Sequence, residues 1–169
     1  YIAMIEKPGR PAAEIIAETL EKTVRQFPWP KSMRWGSGNL RWVRPLHSII
    51  CLLSDEAGAD IIPIEIEGVS VGHTTYGHRF MAPDPISVTG FDDYQAKLKR
   101  AFVLLDAKER KEAIWQEASN QAFAVGLDLV DDRGLLSEVA GLVEWPVVLM
   151  GKIDAQFLSL PAEVLQTSM

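Results

Sequence analysis

Strand-like and helical patterns occupy different parts of this chain, and their order limits the possible folds. Between residues 39 and 88 the sequence favours short strands, and Ile61–Glu67 is the clearest because its isoleucines alternate with other residues. From residue 92 onward, helical spacing dominates. The strands and helices do not alternate regularly, as they would in a doubly wound parallel sheet. The order therefore predicts an α+β fold with a mixed, mainly antiparallel sheet flanked by helices.

The other predicted strands are less regular. Asn39–Leu53 is rich in bulky residues, but Pro45 cannot donate a hydrogen bond to a neighbouring strand. We expect an edge, a bulge or a break between two strands at that point. Shorter strands are predicted at Tyr1–Glu6, Val69–Gly72, Ile86–Val88 and Val147–Ile153, with a basic loop or short strand at Tyr76–Met81.

The predicted helices have clear start and stop signals. Pro11 suits the first turn of an amphipathic helix that runs to Gln26, and Pro28 and Pro30 forbid its continuation. Aspartates cap helices because their side chains accept hydrogen bonds from exposed backbone N–H groups. The further helices run from Asp92 or Asp93 to Arg100, from Asp106 to Val125 before Gly126, over Leu135–Val143, and onward from Pro161.

Length and composition fit one ordinary domain. The 169 residues are enough to bury a core, and we expect residues 1–169 to form a single domain. No apolar run approaches the roughly 20 residues of a membrane span, and the lone Cys51 can form no internal disulfide, so we expect a cytoplasmic protein and no membrane contact. The chain lacks an initiating Met and ends within a helical pattern, so we expect a piece excised from a longer protein.

Positive charge is concentrated in one part of this acidic chain, whose formal net charge is −6. No acid lies between Glu21 and Asp55, whereas six of the 17 lysines and arginines and three of the five tryptophans do. Cations beside flat aromatic side chains are typical of a surface that meets a polyanion. Such a stretch can equally hold tryptophans that plug a core and arginines that pair with acids of a helix.

Seven residues follow as candidates for contact with a nucleic acid. Basic side chains can neutralise phosphates, and Trp35 can stack on an unpaired base. A second basic spot occurs at Gly77–Arg79, inside the acid-free residues 68–83. The candidates are Lys31, Arg34, Trp35, Arg41, Arg44, His78 and Arg79.

Catalytic and metal-binding patterns are weak. His73 and His78 lie five residues apart, but zinc needs three or four ligands and the spacing matches no known zinc motif. Ser48 follows His47 directly, and neighbours on a strand point to opposite faces. We therefore predict no catalytic residue and no metal ligand in this chain.

Five motifs, in this order, carry a resemblance to a known family. The motifs are Phe27-Pro-Trp-Pro-Lys-Ser-Met-Arg-Trp-Gly36, Arg41-Trp-Val-Arg-Pro-Leu-His47, Gly77-His-Arg-Phe-Met81, Glu144-Trp-Pro-Val-Val148 and Leu160-Pro-Ala-Glu-Val-Leu165. Together they resemble the β subunit of bacterial heterotetrameric glycyl-tRNA synthetase, and they extend over nearly the whole chain.

The resemblance implies a role in a class II enzyme that joins glycine to tRNA(Gly) with ATP. It implies an α2β2 assembly whose α subunit holds ATP, magnesium and glycine, and a β subunit concerned mainly with tRNA. This piece resembles the N-terminal part of β, which itself looks similar to the editing-type domain of the phenylalanyl-tRNA synthetase β subunit. We expect no cofactor in this piece, and the histidine–aspartate metal pattern of the family's HD-like region is not present in it.

Three hypotheses for the chain remain open at this point. It is a non-catalytic module that binds tRNA or organises the subunits, or a hydrolytic editing domain with a pocket near His47, His78 and Arg79. The third hypothesis is a purely structural interface, which predicts that Trp29 and Trp35 are fully buried and that Arg34 pairs with an acid.

Overall fold

The computed structural model describes residues 8–56 and 58–168. The chain forms two compact units, one up to Val103 and one from Leu104. A single domain requires the two units to fold together. The expectation that residues 1–169 form one domain therefore stays a prediction. The strand predicted at Tyr1–Glu6 falls outside the described residues.

The first unit combines two helices with short strands. Its helices are α1 (Ala12–Gln26) and α2 (Phe91–Arg100). Its strands are β1 (Ile49–Ile50), β2 (Leu52–Asp55), β3 (Gly58–Ile61), β4 (Glu65–Ile66), β5 (Val69–Gly72), β6 (Thr74–Tyr76) and β7 (Pro85–Ser87). The α+β class is confirmed. So is the α1 helix, which starts after Pro11 and ends before Pro28. The α2 helix ends at Arg100 as predicted, but its cap was predicted wrongly: Gly90 is the N-cap, and Asp92 and Asp93 lie inside the first turn, where their charges favour the helix dipole.

The strands pair in three small sheets rather than in one. β1 and β4 flank β5, with β1 parallel and β4 antiparallel to it, while β2–β3 and β6–β7 are antiparallel pairs. Mixed and mainly antiparallel pairing is thus confirmed. Glu67 and Gly68 join β4 to β5 with φ values of 52° and 81°, the left-handed conformation that a tight two-residue hairpin turn needs.

Prolines interrupt two of the predicted strands, at Pro45 as expected and at Pro63 against expectation. Regular pairing begins at Ile49 and not at Asn39, because Pro45 offers no N–H to a ladder. Pro63 likewise separates β3 from β4, so Ile61–Glu67 is not one continuous strand. The predicted alternation is nevertheless confirmed: Ile62, Ile64 and Ile66 are 1%, 8% and 1% exposed.

These isoleucines form the core of the first unit together with Leu40. One face of α1 covers them, since Ile16, Ala17 and Val24 pack against the cluster. The alternation predicts burial correctly because successive side chains of an extended segment point to opposite sides, whether or not the backbone is paired.

The second unit is helical. It contains α3 (Ala107–Ala124), α4 (Arg133–Leu142), a 3₁₀ turn (Ala155–Phe157) and α5 (Ala162–Ser168). Asp106 caps α3 as predicted by accepting from the Lys108 N–H at 2.7 Å. The Arg110 side chain donates to the carbonyls of Leu104, Leu105 and Ala140, which ties the start of α3 to α4.

The strand predicted at Val147–Ile153 is wrong. Its residues form neither strand nor helix, and Val147 and Leu149 are 71% and 86% exposed. An apolar run pairs as a strand only where a neighbouring strand is available, and the described part of this unit contains none.

Candidate nucleic-acid interface

An isolated antiparallel bridge organises the basic segment, by which we mean residues 27–44. The Met33 N–H donates to the Trp42 carbonyl at 2.8 Å, and the Trp42 N–H donates to the Met33 carbonyl at 3.2 Å. Lys31 and Arg34 lie within two residues of Met33, and Arg41 and Arg44 lie within two residues of Trp42. The bridge thus brings four of the predicted phosphate contacts to one small region.

The positive charges of this region are not neutralised locally. Lys31, Arg34, Arg41 and Arg44 are exposed, and within the described residues none of them pairs with an acid. Arg41 Nε donates to Ser32 Oγ at 3.2 Å, and Arg44 donates to the neighbouring Val43 carbonyl at 3.0 Å. Both partners are uncharged, so four cations remain available to an anion.

Arg25 shows the contrasting arrangement in the same acid-free stretch. Its guanidinium lies 3.1 Å from Glu21 and 3.3 Å from Glu67. The hydrogen bond to Glu21 is the largest of the effects that raise the pKa of Arg25 above the ordinary arginine value. Arg25 therefore serves as an internal reference for a cation that is already paired.

Three aromatic rings pack together at the base of the basic segment. The Trp29 centroid lies 4.5 Å from that of Phe27 and 4.8 Å from that of Trp42, with the two indoles nearly perpendicular at 78°. The cluster borders a cleft of about 410 Å³ that also reaches Ser32 and Arg41. The buried Trp29 Nε1 has no hydrogen-bond partner among the described residues.

Only part of the Trp35 surface is free for stacking. It is half-buried and packs against the isoleucine core. Its remaining surface borders a cleft of about 240 Å³ that also contains the Glu67 carboxylate, which repels phosphate. Nothing tests the role predicted for Trp35, and it stays a prediction.

His78 and Arg79 lie apart in sequence, in what we call the histidine turn, residues 77–82. The Phe80 and Met81 N–H groups both donate to His78 Nδ1 at 3.3 Å. A nitrogen that accepts hydrogen bonds carries no proton, so this ring is held with Nδ1 as the acceptor. Arg79 is exposed, and its guanidinium carbon lies 4.9 Å from the centre of the Phe80 ring.

Comparison with known proteins identifies the family. A model of the family described as "Glycyl-tRNA synthetase beta subunit" matches residues 1–169. The chain belongs to the glycyl-tRNA synthetase β-subunit family. This result confirms the resemblance seen in the five motifs.

Curated members of the family are close in sequence. The chain is 74% identical to the glycine–tRNA ligase beta subunit of Ruegeria sp. (strain TM1040) and 71% identical to that of Paracoccus denitrificans (strain Pd 1222), in each case over all of this chain and 25% of the relative. It is 69% identical to the protein of that name from Cereibacter sphaeroides (strain ATCC 17023) over 99% of this chain and 24% of the relative. The chain thus spans about a quarter of the length of these relatives.

In this member of the glycyl-tRNA synthetase β-subunit family, His73 borders a cleft of about 920 Å³ together with Ser54, Asp92 and Asp93. The cleft of about 360 Å³ beside Ser48 is lined by Ile50, Thr75 and Tyr94, not by a histidine. In the part of the chain that the structure describes, no group of three or more His, Cys, Asp or Glu side chains is placed to hold a metal ion. No helix of that part is long and apolar enough to cross a membrane.

The sequence analysis did not name Phe80 among the candidates, although the structure leaves it 76% exposed beside Arg79. Its neighbour Met81 is also exposed, at 47%. The available signal was an aromatic residue next to two basic residues in an acid-free run, the same signal that drew attention to Trp35.

Proposed function

We propose that this chain takes part in glycyl-tRNA synthesis as a non-catalytic portion of a glycine–tRNA ligase, and that its basic segment holds tRNA(Gly) through phosphates. In this proposal the chain acts in the cytoplasm, together with the α subunit in an α2β2 tetramer. It needs no cofactor of its own, because ATP, magnesium and glycine are handled by the α subunit.

The observation that carries the proposal is the group of four unpaired cations around the Met33–Trp42 bridge. Placing like charges close together is unfavourable unless solvent or a counter-anion screens them. A row of phosphates is such an anion, and proteins that neutralise phosphates gain affinity from the release of condensed counterions. The exposure of all four side chains supports direct contact.

Two features favour tRNA contact over a purely structural interface. Trp29 and Trp35 are half-buried rather than fully buried. Arg34 pairs with no acid among residues 8–56 and 58–168. A structural interface predicted the opposite in both respects.

The hydrolytic alternative has less support. Its pocket was expected near His47, His78 and Arg79, but His78 Nδ1 already accepts two backbone hydrogen bonds within its own turn. A proton acceptor needs a free nitrogen within about 3 Å of the reacting proton.

The test is tRNA(Gly) binding by the full-length β subunit assembled with its α subunit, measured over a range of salt concentrations. Arg34→Gln combined with Arg41→Gln should weaken binding and reduce the slope of log K against log salt by roughly 0.7–0.9 for each phosphate that is no longer neutralised. Arg25→Gln removes the same charge from the same acid-free stretch, yet should change the slope much less because Arg25 is committed to Glu21 and Glu67. Equal effects of Arg25→Gln and Arg34→Gln, or no effect of either, would contradict phosphate contact by the basic segment.

A further inference from the structure

We propose that the histidine turn and the last turn of α2 form a second RNA contact, in which Phe80 stacks on an unpaired base and Arg79 and Arg100 neutralise the flanking phosphates. This inference rests on the proposed function for the identity of its partner. It assigns a stacking role to Phe80 and a phosphate role to Arg100, both away from the basic segment.

The backbone of the histidine turn is held at several points. The His78 N–H donates to the Ala101 carbonyl at 2.8 Å, and the Ala82 N–H donates to the His78 carbonyl at 2.8 Å. Gly77 packs so closely on Ala101, the residue that follows α2, that an added Cβ would overlap the Ala101 side chain. With the two bonds to His78 Nδ1, these contacts fix the turn before any partner binds. Fixing a loop in advance lowers the entropy cost of binding.

The fixed turn displays its apolar side chains instead of burying them. Phe80 is 76% exposed and Met81 is 47% exposed. The Arg79 guanidinium lies over the Phe80 ring, at 4.9 Å from its centre. A flat ring beside a cation matches a nucleotide, because the ring stacks on the base while the cation meets the phosphate.

The end of α2 adds cations at the point where the turn docks. Lys97, Lys99 and Arg100 lie in the last turn of the helix, immediately before Ala101. Lys97 is committed to Asp93 at 2.8 Å. Arg100 is exposed and has no acid partner within the described residues.

The helix end itself is closed and does not need Arg100 as a cap. The Phe102 N–H donates to the Lys99 carbonyl and the Val103 N–H donates to the Leu98 carbonyl, the pair of bonds that typically ends a helix. Phe102 takes the left-handed position of this motif with φ 59°, where glycine is usual. Cations near a helix C-terminus also interact favourably with its dipole, but that effect gives no reason for an exposed Phe80.

RNA fits this surface better than an acidic peptide does. An acidic peptide would pair with the cations, but it gains little from a flat exposed phenylalanine beside them. An unpaired base gains from both, since stacking is independent of base identity and the phosphate lies next to the base. The acid-free runs 68–83 and 94–105 keep carboxylates of these two segments away from the phosphates.

The experiment measures tRNA(Gly) affinity of the assembled ligase with full-length β subunits. Phe80→Ala should weaken binding roughly five- to 150-fold with little change in salt slope, because stacking carries no charge. Arg79→Gln with Arg100→Gln should reduce the slope by roughly 0.7–0.9 for each phosphate that these side chains no longer neutralise. Phe123→Ala is the matched control, since Phe123 is 86% exposed in the second unit and should leave affinity unchanged.

The pattern across the two sets of variants separates the two sites, and weaker binding in both sets supports both contacts. Weaker binding by Phe80→Ala, with Arg34→Gln and Arg41→Gln unaffected, supports the second contact and overturns the role of the basic segment. The reverse pattern keeps the proposed function and overturns this inference. An affinity of Phe80→Ala equal to that of Phe123→Ala overturns it, and so does loss of α-subunit association with unchanged tRNA binding, which would identify a protein partner.

His78 acts in this proposal as a positioning residue. His78→Asn keeps a side-chain oxygen that can accept the Phe80 and Met81 N–H groups, whereas His78→Ala removes the acceptor. The asparagine variant should retain tRNA affinity and the alanine variant should lose it. Equal loss in both variants overturns the positioning role.

Discussion

The basic segment and the histidine turn differ in how hydrogen bonds hold their backbones. One isolated bridge joins the two lengths of backbone in the basic segment. In the histidine turn four N–H groups have partners, those of His78, Phe80, Met81 and Ala82. The aromatic rings of the two regions differ in their exposure. Those of the basic segment pack on one another, while Phe80 of the histidine turn faces solvent. The basic segment is thus held by side-chain packing and the histidine turn by its backbone. We therefore expect substitutions to destabilise the basic segment by loss of packing and the histidine turn by loss of backbone contacts.

Leu40→Ala should have the largest effect, because Leu40 attaches the basic segment to the isoleucine core and is only 6% exposed. Deleting a buried leucine side chain leaves a cavity and lowers the free energy of unfolding by about 2–5 kcal/mol. Urea denaturation followed by tryptophan fluorescence reports on this region, since Trp29, Trp35 and Trp42 all lie in it.

Leu142→Ala is the control for that measurement, because Leu142 is 78% exposed. Its free energy of unfolding should stay within about 0.5 kcal/mol of the unchanged chain. Similar losses in the two variants would show that packing around Leu40 does not hold the basic segment.

Gly77→Ala should come second and act on the histidine turn. A Cβ at this position would overlap the Ala101 side chain and lie 2.7 Å from the Ala101 carbonyl oxygen. Overpacking of this kind costs about 1–3 kcal/mol, and here it also pushes the turn off α2. Hydrogen exchange should show faster exchange of the His78 N–H, which donates to that same carbonyl.

A second change separates a clash from a conformational effect at Gly77. Ala101→Gly in the Gly77→Ala background removes the overlapping methyl group and should restore part of the stability, while the close approach to the carbonyl remains. Gly141→Ala should change stability in the opposite direction. Gly141 lies inside α4, and nothing lies within 4 Å of a Cβ added at that position. It should stabilise the helix by roughly 0.5–1 kcal/mol. Failure of Ala101→Gly to restore any stability would argue against the clash.

The sequence predicted what depends on local pattern. The burial of Ile62, Ile64 and Ile66 follows from alternation, and the cap at Asp106 follows from short-range chemistry. Pairing was predicted less well, because Pro63 breaks a ladder without disturbing the alternation. Val147–Ile153 fails for a related reason, since a strand needs a partner that a local pattern does not reveal.

The candidate site divides in the same way. The unpaired state of Arg34 and Arg41 agrees with their position in an acid-free stretch, although Arg25 in that stretch is paired to Glu67, 42 residues away. The neighbourhood of the histidine turn and Arg100 could not be predicted, because the contact between His78 and Ala101 joins residues far apart in sequence. The distribution of charges along the sequence therefore predicts a basic segment, but it does not predict a surface that two distant segments form together.

Gly36→Ala should have the smallest effect of the three and sharpens the contrast with Gly77. Gly36 has φ 56° and nothing within 4 Å of a Cβ, so its requirement is conformational and not spatial. Alanine in the left-handed region costs about 1 kcal/mol, and asparagine, which adopts this conformation more readily, should cost less. Urea denaturation should rank the variants in that order, and no shortening of a neighbouring side chain should rescue Gly36→Ala. If Gly36→Asn proves as destabilising as Gly36→Ala, the left-handed conformation is not what this position requires, and the contrast with Gly77 would have to rest on another property of the basic segment.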